Sequence, residues 1–365
     1  MIKNFPIIAL FVICLVVPAA SYSEDSKNQA ESQFGNTSTT WFKRYGEDNW
    51  TAINSLKLDE GTLLTAGALG SSRFMSDFPG MDFARKNMHL MRLDLGGGVI
   101  WARTYSPKGA SRPTEAVDFD IDRDGNIAVL ANVKPERKSK SGLSDKNSFL
   151  IVKLGSSGQK IWQREYSKNP SEVGKKIIVS SDGSYLALVQ VEEEEKTRLI
   201  KIGSDGKYIG ESLFRDEFFD IMEINGGFVL VGNDGVVKLN TVARAVSNWA
   251  IDAHTAEFIG SDRLMVQRNY KADGRRYMPE LTLATTDGRI IWNRRYDFSR
   301  KRTSYFRTMT EVDEGYIVSG SYQEDFGVES KVFVMHISKE GDPLWARELT
   351  GSKAGTIAYD LLAHP

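Results

Sequence analysis

The sequence predicts an all-β chain folded as a β-propeller of six or seven four-stranded blades. Three observations predict it. A stretch of the form Gly-x-x-x-Trp-x-Arg-x-Tyr recurs along the chain at intervals of roughly 40 to 60 residues, the range in which propellers and solenoids repeat. Between its copies lie short runs of alternating apolar and polar residues bounded by turn residues, the pattern of half-buried strands. Four such runs fill each interval, which is the content of one propeller blade.

The best copy is Lys153 to Tyr166, with Gly158, Trp162, Arg164 and Tyr166 at the marked places. Others end at Trp101-Ala-Arg103-Thr-Tyr105, Trp292-Asn-Arg294-Arg-Tyr296 and Trp345-Ala-Arg347-Glu-Leu349. Trp41-Phe-Lys43-Arg-Tyr45 repeats the second half alone. Two worn copies lie between them, with Gly210 and Ser247 where the Trp should stand. In a strand, positions i, i+2 and i+4 share a face, so Trp162, Arg164 and Tyr166 point the same way. The motif therefore reads as a structural strand that packs neighbouring units together.

The units follow in order. The first has strands at Thr51–Leu58, Thr62–Ala68, Met88–Asp94 and Val99–Tyr105. The second has Ala116–Ile121, Ile127–Val133, Phe149–Leu154 and Ile161–Tyr166. The third has Lys176–Val179, Tyr185–Val191, Arg198–Ile202 and a worn strand ending near Phe214. The fourth is the most compressed: Phe218–Ile224, Phe228–Val231 and Val236–Leu239, with Asp234-Gly235 as a tight hairpin. The fifth has Ile251–Ile259, Arg263–Arg268, Glu280–Ala284 and Ile290–Tyr296. The sixth has Tyr305–Val312, Tyr316–Ser321, Val332–Ile337 and Leu344–Leu349. A last-type strand at Trp41 and a first-type strand at Thr356–Ala363 flank the six units. Either they are accessories to six blades, or they meet as a reduced seventh.

With the spacing at Gly97, Gly158, Gly288 and Gly341, and a partner without Trp at Gly206, the repeats resemble those of the pyrroloquinoline-quinone-like propeller family, which includes quinoprotein dehydrogenases. The resemblance implies the propeller for Trp41 onward. The family's fuller motif carries Ala-x-Asp upstream, where this chain has residues such as Leu93 and Leu154, so the resemblance does not extend to the quinone site.

The amino end gives the compartment. Met-Ile-Lys-Asn precedes an almost wholly apolar run from Phe5 to Val17 and then small residues, the layout of a secretory signal peptide over 1–23. The run is too short to span a bilayer comfortably. Residues 24–40 are polar and read as a flexible leader, and 41–365 as one propeller domain. The one cysteine, Cys14, lies in the apolar run, so an exported, periplasmic or extracellular mature chain would be held by its core without disulfides. The 47 basic and 48 acidic residues give a formal net charge of −1, which offers nothing to attract nucleic acid. No further segment is apolar enough to cross a membrane.

Naming the strands a to d from the axis outward, the a–b and c–d turns are short, while the b–c and d–a connections on the opposite face include long ones. Long loops on a rigid scaffold are where binding residues gather. The connection Leu69–Asn87 holds Arg73, Phe74, Phe78, Phe83 and Arg85, a composition favoured at binding hot spots. Tyr270, Arg276 and Tyr277 make a second candidate on the connection Tyr270–Met278. Asp120, Asp122 and Asp124, followed by Gly125, match the first half of a calcium loop, although Ala131 stands at the place of the closing Glu and the segment lies on an a–b turn. No other cofactor is expected, and no nucleophile elbow, zinc signature or Walker loop is present.

Two functions follow. The first is an exported module that binds a protein or glycan through its long-loop face and performs no chemistry. The second is a polysaccharide-acting or quinone-dependent enzyme with its site at the axial channel, where Asp118, Asp120, Asp220 and Glu223 could supply carboxylates.

Overall fold

The computed structural model describes residues 9–10, 49–71, 86–106, 113–134, 147–168, 171–251, 253, 255–260, 262–273, 276–297, 303–323, 331–349 and 362–363. It is an all-β propeller of six four-stranded antiparallel blades. Blade 1 has strands a to d at Asn49–Asp59, Thr62–Ser71, Lys86–Asp94 and Val99–Tyr105; blade 2 at Thr114–Ile121, Ile127–Val133, Ser148–Leu154 and Lys160–Glu165. Blade 3 uses Glu172–Val179, Tyr185–Val191, Lys196–Ile202 and Tyr208–Phe214; blade 4 uses Phe218–Ile224, Gly227–Gly232, Val236–Asn240 and Ala245–Trp249. Blade 5 uses Thr255–Ile259, Arg263–Asp273, Arg276–Thr285 and Ile290–Arg295; blade 6 uses Thr303–Val312, Gly315–Gln323, Lys331–Ile337 and Pro343–Leu349.

Among the described residues the complete blades number six; Trp41 and most of Thr356–Ala363 lie outside them. At the seam, Leu362–Ala363 pairs with Ala9–Leu10 and lies against the inner strands of blades 6 and 1. Among the described residues no helix is long and apolar enough to cross a membrane.

The core is a series of layers between successive blades. Residues of alternating parity in strands b and c face opposite neighbours. Leu264 and Val266 of blade 5 pack with Val229 and Val231 of blade 4. Leu281 and Leu283, on the other side of the same blade, pack with Phe306 and Phe333 of blade 6.

The recurring motif is the joint between these layers. Tyr105, Tyr166 and Tyr296 donate their hydroxyls to the carbonyls of Gly158, Gly206 and Gly341 in the next blade's c–d turn, at 2.6, 2.7 and 2.7 Å. The indole N–H groups of Trp162 and Trp292 donate to Ser204 and Lys339 in the same turns, at 3.0 and 2.7 Å. Burial pushes the Tyr105 and Tyr166 hydroxyls up to about 12, as expected for phenols that donate in a dry layer. The motif glycine serves twice. Gly158 has φ +78°, and a Cβ there would lie 2.9 Å from Arg103 Cδ and 3.0 Å from the Tyr105 hydroxyl.

The worn copies hold the same register. Trp101, Trp162, Trp292 and Trp345 pair with Arg92, Lys153, Leu283 and His336, and in the same rung Gly210 pairs with Lys201 and Ser247 with Lys238. The two changes at the third joint are coupled. Blade 3 presents Gly210 in place of Trp, and the c–d turn of blade 4 has Ala243 (φ +59°) in place of Gly. Removing the indole leaves room for the Cβ, and Ser212 Oγ donates to the Ala243 carbonyl at 2.9 Å.

Candidate functional site

The inner strands of blades 1, 2, 3, 4 and 6 share a β-bulge. A bulge re-aims the side chain beside it. The residue after the bulge is Ser55, Asp118, Lys176 and Asp220 in blades 1 to 4, and these four form a chain around the axis. Ser55 Oγ donates to Asp118 at 2.8 Å, and Lys176 Nζ stands 3.9 Å from Asp118 and 3.7 Å from Asp220.

Most of these carboxylates serve the ring. Asp118 and Asp120 accept the backbone N–H groups of Ile177 and Val179 in blade 3, at 3.0 and 2.7 Å, and Asp120 also takes Lys57 of blade 1 at 2.7 Å. Glu223 of blade 4 accepts from the Ser181 N–H at 2.6 Å and from the Ser180 and Ser181 hydroxyls of blade 3. Asp220 has the Ile221 N–H at 2.8 Å and the longer approach of Lys176. Burial raises its carboxyl above the ordinary range, and the nearby Lys176 only partly opposes this.

The three aspartates of the calcium-like stretch take separate partners. Asp120 joins three blades as described. Asp122 accepts from the Asn126 backbone and side chain and from Lys153 at 3.1 Å. Burial pushes its carboxyl up, but the Asn126 N–H and Lys153 outweigh this and hold it below the usual value. The same tie joins Asp59 to Arg92 in blade 1 and Asp182 to Lys201 in blade 3, both at 2.6 Å. Asp124 is exposed in the turn. Among the described residues no group of three or more His, Cys, Asp or Glu is arranged to hold a metal ion.

Of the long-loop candidates, Arg73, Phe74, Phe78, Phe83 and Arg85 lie outside the described residues. Tyr270, Arg276 and Tyr277 do not stand on a loop. Strands b and c of blade 5 stay paired through Tyr270↔Met278 and Lys271↔Tyr277 and, after a register shift, at Asp273↔Arg276. Asp273-Gly274, a hairpin signal, marks this turn in the sequence. Among the described residues strand a pairs as far as Gln267 and the strand d ladder as far as Glu280, so beyond Pro279 the extension is a two-stranded ribbon. Pro279 keeps a donor off its outer edge and gives its carbonyl to the Tyr296 N–H at 3.0 Å.

The two tyrosines face opposite neighbours. Tyr277 is exposed and stacks on Tyr305 of blade 6, ring centres 6.4 Å apart. Tyr270 shares the blade 4 side with Arg268, Glu280 and Arg295. Glu280 is fully buried between the two guanidiniums, each pairing through Nε. Burial pushes its carboxyl up, but Arg268 and Arg295 outweigh this and hold it low. The Arg295 guanidinium lies 3.7 Å from the centre of the Tyr270 ring. The arrangement supplies planar cationic donors beside an aromatic ring, a recognition chemistry. Sequence reading missed the triad because its members are far apart in the chain and meet only across strands.

No family model matches the chain, so membership of the quinone-like family is not established, and no curated protein matches it. A protein of unknown function from Bacteroides caccae is 11% identical, with 75% of this chain and 94% of that one covered and a TM-score of 0.47. The cobalt-substituted apocarotenoid oxygenase of Synechocystis is 10% identical, with 77% and 70% covered and a TM-score of 0.48. A puromycin hydrolase variant is 15% identical, with 75% and 42% covered and a TM-score of 0.44.

Proposed function

We propose that the protein is an exported propeller that binds a protein or glycan on the face carrying its b–c and d–a connections, and that it performs no chemistry. The supporting observation is the use made of the inner carboxylates. Asp118, Asp120 and Glu223 are tied to the backbone of blade 3, which suits a rigid ring better than a reacting centre. A rigid ring presenting ligand-binding projections is a common use of such scaffolds. The test is capture from the native exported fraction with three forms of the mature chain: intact, lacking Phe74 to Phe83, and with the blade 5 ribbon trimmed to a short turn. Retention by the intact chain and loss by either variant supports the proposal. Equal retention by all three defeats the assignment of the face.

Asp220 favours the second reading, an axial enzyme, because a carboxyl with a raised pKa suits a general acid. Its test is a turnover screen on polysaccharides with Asp220→Asn as control. Turnover abolished by that change would replace the binding proposal.

A further inference from the structure

The same place in two blades shows why the triad of blade 5 is open. Counted from the c-strand bulge, Arg198 of blade 3 and Glu280 of blade 5 occupy one register position. Both point toward the preceding blade. In blade 3 that neighbour is blade 2, of ordinary length, and Glu172 and Arg198 are sealed, their side chains 0% and 2% exposed, while Glu211 reaches the surface at 29% and also meets Lys168. In blade 5 the neighbour is blade 4, whose b–c ladder ends at Val231↔Val236. The matching rung of blade 5 is Gln267↔Leu281, and everything from Arg268↔Glu280 outward rises past it, by roughly 17 Å at the rise of an extended strand. Arg268 and Arg295 are accordingly 34% and 46% exposed while Glu280 between them stays buried.

We infer that the step between blade 4 and blade 5 is a binding site for an acidic oligosaccharide, with Arg268 and Arg295 receiving a uronate carboxylate and Tyr270 lying against the sugar ring. The inference rests on the binding function proposed above and names its ligand class. Two arginines against one glutamate leave the triad one positive charge in excess. Their Nε atoms are held by Glu280, which fixes both guanidinium planes and leaves the terminal amino groups unclaimed by it. Fixed, planar donors suit a carboxylate better than a flexible ammonium does. Tyr270 is half-buried, and its ring offers a flat apolar surface to the C–H face of a pyranose. Asn293 stands beside Glu280, its amide N–H given to Thr282 at 2.7 Å, and adds a neutral polar group at the edge of the site.

The experiment is isothermal titration of the mature chain with oligogalacturonate, with its methyl ester, and with polyglutamate. Oligogalacturonate should bind, with affinity falling as salt is raised, and the ester and the polypeptide should not. Arg295→Gln and Tyr270→Ala should each raise Kd tenfold or more. Because Arg295→Gln leaves Glu280 short of a partner, the double variant Glu280→Gln, Arg295→Gln should keep the fold and lose binding as well, with melting curves as the check. The inference is overturned if oligogalacturonate does not bind, if the variants bind it unchanged, or if ester or polyglutamate binds equally. Should oligogalacturonate fail while the intact chain still captures a partner through this face, the ligand class is wrong and the binding function stands. Should both fail, the function falls with it.

Discussion

Blades 3 and 5 carry the same device with its charges reversed. In blade 3 a buried arginine lies between two glutamates, and in blade 5 a buried glutamate lies between two arginines. The register position is shared, and what differs is the height of the neighbour. A full-length blade 2 turns the first cluster into an internal brace, whereas a shortened blade 4 leaves the second at the surface with donors to offer. Of the four flanking groups Glu172 alone is closed off, whereas Glu211, Arg268 and Arg295 keep 29%, 34% and 46% of their side chains exposed, so the closed arm at Glu172 is what the blade 5 cluster lacks.

That contrast can be broken by cutting each centre. Arg198→Met strands Glu172 without its cation in a closed layer and should cost about 3 to 5 kcal/mol. Glu280→Gln leaves two arginines that water can reach, and should cost about 1 kcal/mol or less. Guanidinium unfolding of both variants beside wild type measures the pair, and equal losses would erase the distinction.

The joints provide the next tests. Gly158→Ala places a Cβ against Arg103 and Tyr105 at a positive φ, and should lower stability by about 1 to 3 kcal/mol. Tyr296→Phe deletes the hydroxyl that reaches Gly341, and should cost about 1 kcal/mol. At the joint already relieved of its Trp, Ala243→Gly should instead gain about 0.5 to 1 kcal/mol by easing the left-handed backbone. Thermal melts rank the three.

The smallest effect lies at the axis and depends on pH. The Asp220 carboxyl is raised in the folded chain, so its contribution favours the fold at acid pH, where it is protonated in both states, and is lost as pH rises through its folded pKa. Asp220→Asn should therefore be more stable than wild type at pH 7 and no more stable at pH 3. Melts at the two values decide the sign.

Blade order and strand register were legible because the motif glycine meets the preceding blade's motif side chains, Gly158 against Arg103 and Tyr105, Gly206 against Trp162 and Gly341 against Trp292. Even the worn copies at Gly210 and Ser247 fall in the rung they were aligned to. The ribbon of blade 5 was less legible. Arg268 to Asp273 shows no apolar alternation: blade 4 is too short to bury the set that faces it, and Asn269 and Lys271 on the other face are polar, so a strand without a buried face looks like a loop. Nor could the Arg–Glu–Arg triad be read, since its order across strands is fixed by pairing and its signs change from blade to blade. The axial residues were legible as carboxylates but not in their use, since a bulge decides which neighbour each one meets.

The joints all point one way. Tyr105, Trp162, Tyr166, Trp292 and Tyr296 each reach forward to a turn that comes later in the chain, so during synthesis a blade cannot complete its own seal. It must wait for the following blade to emerge, roughly 40 to 60 residues later, and at ordinary elongation rates that is a delay of several seconds. Trp292 is satisfied in this manner by blade 6, but Trp345, 40% exposed, meets no later turn among the described residues. A chain stalled after blade 5 would leave Trp292 and Tyr296 without their acceptors at Lys339 and Gly341, so its newest edge would be its least sealed one.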